Sequence, residues 1–71
     1  MNTGERRLCE WQFGLSGSFF RSLFNAISVA DRENLTKLER AFPDEVKAYK
    51  RFAYEVGYWE RLSEEYRAGR F

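Results

Sequence analysis

Few residues in this chain carry side chains suited to bond-making chemistry, and those few are poorly spaced for it. There is no histidine, which removes the usual proton shuttle near neutral pH and the commonest metal ligand. With a single cysteine, a zinc site would have to be assembled almost wholly from carboxylates, against zinc's preference for sulfur and nitrogen. Cys9 lies close to Arg6 and Arg7, and neighbouring cations lower a thiol's pKa and make it reactive. A free cysteine more often serves as a small buried hydrophobe, and that is the expectation here. Asp44 and Glu45 are adjacent carboxylates, but successive helical residues point about 100° apart, so the pair does not face one substrate. A place in the first turn of a helix explains both. Gly14-Leu15-Ser16-Gly17-Ser18 precedes a helix and could hold an anion on free N–H groups. It lacks the lysine and full glycine spacing of a phosphate-binding loop, and reads as a hinge plus a cap. The expectation is a protein that is not an enzyme and uses no cofactor or metal.

Binding is better represented than catalysis. Lys47, Lys50, Arg51 and Tyr54 fall within an arc of about 100° if residues 43–56 are helical. Basic side chains interleaved with an aromatic suit an acidic partner surface or a nucleic-acid backbone; a solvated outer helix face is the plainer alternative. The chain also carries seven Phe, four Tyr and two Trp, many for so small a core. Some must lie at the surface, and Trp11, Tyr54, Tyr58 and Phe71 are the candidates. Exposed aromatics beside arginine are typical of protein contact patches. The expected partner-binding set is therefore Lys47, Lys50, Arg51, Tyr54, Trp11 and Tyr58.

These residues must be positioned by helices, and the clearest are two that meet at Phe42-Pro43. Asp31 can cap the first of them with its side-chain oxygen. Leu35, Leu38 and Phe42 then form one apolar stripe at spacings of three and four. Pro43 disfavours the α conformation at Phe42 and suits the first turn of the next helix, so one helix stops and another starts there. That second helix is expected to run to about Val56 and to bury Val46, Tyr49, Phe52, Ala53 and Val56, within an arc of about 120°. Gly57 can close it in the left-handed conformation. Tyr58 to Arg67 reads as a last short helix with Trp59, Leu62 and Tyr66 inward.

Upstream, Ser18 is expected to cap a helix beginning at Phe19, with Phe19, Phe20, Leu23, Phe24, Ile27 and Ala30 on one broad face. It should end near Val29 or Ala30, so that the joint to the next helix is very tight. Residues 8–13 are ambiguous, since Cys9, Trp11 and Phe13 alternate as in a strand while Leu8, Trp11 and Gln12 fit a helical turn. A lone strand has no partner within the chain, so an extended arm or a short helix laid over the bundle is favoured. Residues 1–7 and 68–71 are expected to be loose. The fold class is all-α: one domain over residues 1–71, with three main helices, a short C-terminal helix and an N-terminal arm.

A chain of 71 residues is a single small domain, which buries only about 60% of the surface its unfolded chain exposes. Twelve basic and eleven acidic side chains leave a net charge of +1, which gives no reason for strong non-specific binding to phosphates. One cysteine excludes an internal disulfide and fits a reducing compartment. No apolar run approaches the roughly 20 residues that span a bilayer, and no signal-like apolar segment follows Arg7. A cytoplasmic location is the expectation. Asn34-Leu35-Thr36 matches a glycosylation sequon by chance, inside an expected helix.

Glu10-Trp11-Gln12, Gly17-Ser18-Phe19-Phe20, Leu23-Phe24-Asn25-Ala26-Ile27, Ala30-Asp31, Asn34-Leu35, Phe42-Pro43-Asp44-Glu45-Val46, Tyr49 and Gly57-Tyr58-Trp59 together resemble a group of small proteins. These are carried by phages and mobile elements of Gram-positive, often gut-dwelling, bacteria. The resemblance spans residues 10–62 and implies a genomic setting rather than a reaction or a ligand. Small non-enzymatic proteins in that setting are often blockers of host defences, including CRISPR nucleases, or regulators of the element. By analogy with that setting, the leading expectation is a protein-binding inhibitor of a host defence nuclease or of its nucleoprotein complex, using the exposed aromatics and the Lys47, Lys50 and Arg51 face. The alternative is a small DNA-binding regulator. A recognition helix is usually basic near its start, whereas this one opens with Asp44 and Glu45, so direct nucleic-acid binding is the less favoured reading.

Overall fold

A proline corner, a tight joint at Ala30-Asp31 and two left-handed glycines divide the chain into five helices. The computed structural model describes residues 1–70. It contains α1 (Thr3–Gln12), α2 (Ser18–Val29), α3 (Arg32–Ala41), α4 (Pro43–Tyr54) and α5 (Tyr58–Arg67), with no strand among the described residues. The all-α expectation holds. The expected N-terminal arm does not, because residues 3–12 form a full helix, and Phe71 lies outside the described residues.

The first helix starts where a loose end was expected. Asn2 and Glu5 form a capping box, in which the Glu5 N–H donates to Asn2 Oδ1 at 2.8 Å and the Asn2 N–H donates to Glu5 Oε1 at 3.0 Å. Two otherwise orphaned N–H groups are satisfied reciprocally, which holds the first turn. The helix ends in a Schellman motif. Gly14, at φ 73°, lets its own N–H reach the Trp11 carbonyl while the Leu15 N–H reaches that of Glu10. What read as a hinge is thus partly a helix cap. The C-terminal residues repeat the device, with the Gly69 N–H on Tyr66 and the Arg70 N–H on Glu65. Residues 68–70 are therefore hydrogen-bonded rather than a loose tail.

The middle of the chain follows its local signals closely. The Asn34 N–H donates to Asp31 Oδ1 at 2.8 Å, capping α3. Phe42 sits at φ −134°, ψ 65°, outside the α region, and Pro43 opens α4. Gly17 rather than Ser18 is the N-cap of α2. Gly57 is left-handed at φ 84°, but α4 has already ended at Tyr54, so Glu55, Val56 and Gly57 form the turn into α5.

Packing is centred on α1 and α4, not on the α3–α4 hairpin. The two helices run in the same direction, Gly4 meeting Asp44 at one end and Trp11 meeting Tyr49 and Phe52 at the other. Gly4 is buried, and a Cβ added there would overlap the backbone carbonyl of Asp44. Only glycine allows so close an approach. The core comprises Leu8 and Cys9 from α1, Leu23, Phe24 and Ile27 from α2, Val46 and Ala48 from α4, and Tyr58 and Leu62 from α5. A run of ring contacts surrounds it. Phe24 stacks on Trp11 (5.2 Å between centroids), Trp11 meets Phe52 edge-on, Phe52 meets Trp59, and Phe13 lies between Trp59 and Tyr66.

This arrangement corrects the expected inward face of α4. Because α1 is its main neighbour, the buried arc turns towards Glu45 and Ala48, leaving Ala53 exposed. Val56 lies beyond the helix and is wholly exposed, as is most of Phe19 on α2. Helix α3 contributes no fully buried side chain, and Leu35, Leu38 and Phe42 are only half-buried. The molecule is a slab of 36 × 27 × 17 Å. Its thinnest dimension is less than two helix diameters, which is why so many rings are half-covered instead of enclosed.

Candidate protein-contact surface

The outer side of α4 carries four of the six residues expected to contact a partner, and their surroundings differ sharply. Lys50 is half-buried, and its Nζ donates to Glu39 Oε1 of α3 at 3.0 Å. Arg51 donates from Nη2 to Glu55 Oε2 at 2.9 Å and from Nε to Oε1 at 3.3 Å. The same guanidinium lies 3.8 Å from Glu5 and 4.2 Å above the Tyr58 ring. Both cations are committed to intramolecular contacts. Lys47 takes part in none of the ion pairs found among the described residues and is exposed. Tyr54 is 84% exposed.

Tyr58 and Trp11 are placed differently from expectation. Tyr58 is 1% exposed and belongs to the core, because the left-handed Gly57 turns the start of α5 under α1. Its hydroxyl donates to Glu5 Oε2 at 2.7 Å. Burial and the adjoining Glu5 carboxylate push the phenol's pKa well above its ordinary value. Burial opposes ionisation of Glu5, yet the Asn2 N–H, the Tyr58 hydroxyl and Arg51 outweigh it and hold that carboxyl below its ordinary value. The group is a charge-assisted network tying α1, α4 and α5 together. Trp11 is half-buried against Phe24, with its ring used in packing.

Cys9 is fully buried, and desolvation, with Glu5, Glu10 and Glu65 adding to it, pushes its thiol up to about 11. Arg6 and Arg7 do not activate it. Arg7 instead pairs with Glu45 at 3.7 Å and lies 3.7 Å over the Phe20 ring. Asp44 and Glu45 separate as the helical angle requires, one exposed and one buried. No group of three metal-capable side chains occurs among the described residues.

Two surface features escaped the sequence reading. Val56 extends the Tyr54 patch around the α4–α5 corner, and only the early end of α4 reveals it. A groove of about 420 Å³ separates α2 from α3, lined by Ala26, Val29, Ala30 and Leu38 with Asn34 and Lys37. The tight joint at Ala30-Asp31 was the signal available for it, since two helices joined so closely splay apart. No helix is long and apolar enough to cross a membrane among the described residues. No protein-family model, curated protein or solved structure matches the chain.

Proposed function

We propose that this is a non-catalytic binding protein of a phage or mobile element, acting in the cytoplasm of its bacterial host. In this reading it inhibits a host defence nuclease, such as a CRISPR nuclease, by occluding a working surface. The observation that carries the binding role is the corner formed by Tyr54 and Val56. These are 84% and 101% exposed, and nothing in the fold requires either side chain there. Tyrosine in contact with a partner is a common source of binding energy, and Lys47 supplies an uncommitted positive charge on the same helix. The resemblance of residues 10–62 to small phage and mobile-element proteins supports the setting and the choice of a defence target.

A DNA-binding role has less support. The cations that would meet phosphates are largely neutralised by Glu39, Glu5 and Glu55, and α4 begins with two carboxylates. The test is affinity capture of a tagged copy from a Gram-positive host, followed by mass spectrometry. The expected result is enrichment of a nuclease or its complex by the native protein but not by Tyr54→Ala/Val56→Asp, with both proteins melting alike. Capture of the same partner by both proteins would move the contact surface elsewhere. Enrichment of DNA without a protein partner would overturn the inhibitor reading.

A further inference from the structure

A second recessed site lies where the C-terminal end of α1 and the following loop meet α2. It is a pocket of about 220 Å³ lined by Trp11, Gly14, Ser16, Arg21 and Asn25. Ser16 is the informative residue. Its Oγ is buried and has no hydrogen-bond partner in the protein, alone among the buried side-chain polar atoms of the described residues. Leaving a buried hydroxyl unpaired is costly, so its retention asks for a partner. Arg21 and Asn25, one turn apart on α2, line the same recess. Arg21 enters none of the ion pairs found among the described residues.

We propose that this pocket binds a single carboxylate group. Every polar side chain lining it can donate a hydrogen bond, and its one charge is positive. The guanidinium fork matches the two oxygens of a carboxylate. The Asn25 amide can then donate to a remaining lone pair, the Ser16 hydroxyl joins it once a change of rotamer turns its enclosed Oγ towards the pocket, and the indole of Trp11 forms an apolar wall for the carbon next to the acid. A phosphate dianion would meet only one cation and stay half-neutralised. The volume falls below the roughly 300–1,000 Å³ of cofactor and drug-sized pockets, so the occupant is the size of an acidic side chain or a small free acid. The assignment is independent of the Tyr54 surface.

The test is a titration of ¹⁵N-labelled protein with sodium acetate at constant ionic strength and neutral pH, followed by amide and indole NMR signals. N-acetyl-glutamate amide and inorganic phosphate serve as parallel probes. Saturable shifts of the Trp11 indole, Ser16 and Asn25 signals are expected with both carboxylates. Arg21→Leu should abolish saturation; Arg21→Lys and Ser16→Ala should each weaken binding several-fold. Arg21 and Asn25 are exposed, so the Arg21 variants are expected to keep native spectral dispersion, and Asn25→Ala gives a separate check on the same pocket. Tighter binding of the glutamate amide than of acetate would assign the site to acidic side chains, and the reverse to free acids. Non-saturating shifts, saturation unaffected by Arg21→Leu, or tighter binding of phosphate would each overturn the proposal.

Discussion

Single side chains decide how this small domain responds to reagents and to acid. Cys9 is enclosed and its thiol stays protonated near neutrality, so thiol reagents at pH 8 should leave the native protein unmodified and label it fully in denaturant. Fast labelling of the native state, read by mass, would contradict the buried placement. Glu5 sets the acid limb of stability. Its folded pKa is depressed, so its contribution is present above the unfolded value of 4.5 and is lost as pH falls through the folded one. Urea midpoints should therefore drop on acidification below about pH 4.5, and Glu5→Gln should flatten that drop. Some slope remains in the variant because Glu55, hydrogen-bonded to Arg51, is also depressed. Tyr58→Phe removes one hydrogen bond to a carboxylate that keeps Asn2 and Arg51, so a loss of about 1.5 kcal/mol is expected from thermal melts. Among the candidate contact residues, the exposure of Lys47 and Tyr54 was legible from helical angle alone. Tyr58 was not, because its burial depends on α1 closing over the start of α5, a contact separated by 53 positions in sequence. Arg51 likewise looked like free surface until Glu5 and Glu55 came into view.

At the scale of elements, legibility tracked how local the governing interactions are. The Asp31 cap, the Pro43 corner and the left-handed Gly57 act over a few residues, so α3, α4 and the turn into α5 could be read directly. The first turns of α1 are not legible for two reasons: the Asn2–Glu5 capping box sits in a polar, charged stretch that reads as a loose end, and Gly4 is a poor helix former. The glycine is required by a neighbour remote in sequence, the backbone at Asp44. Gly4→Ala should therefore destabilise, although in an ordinary helix the same change gains about 0.5–1 kcal/mol. Forcing a methyl against a carbonyl costs typically about 1–3 kcal/mol in a packed site. In a domain this size each kcal/mol lowers the melting temperature by about 4–8 °C. A melting temperature raised by Gly4→Ala would show that α1 and α4 do not touch as described.

For the molecule as a whole, a thickness of 17 Å leaves room for little fully enclosed core, and stability is distributed over half-buried rings and charge networks. Reversing charge on α4 is therefore not uniformly harmless. Lys47→Glu should leave melting unchanged within about 0.5 kcal/mol, whereas Arg51→Glu sets a new carboxylate against Glu5 and Glu55 and should lower stability measurably. The distribution is uneven in another respect. Helix α3 has no enclosed side chain, and α4 is its main neighbour, so it can detach while α1, α2, α4 and α5 keep their shared core. Such partial opening requires less free energy than global unfolding. Arg32, Lys37 and Arg40 are exposed along α3, which places three tryptic sites on the segment with the least to lose by opening. A brief trypsin digest of the native protein should cut there first, leaving two fragments that remain associated until denaturant separates them.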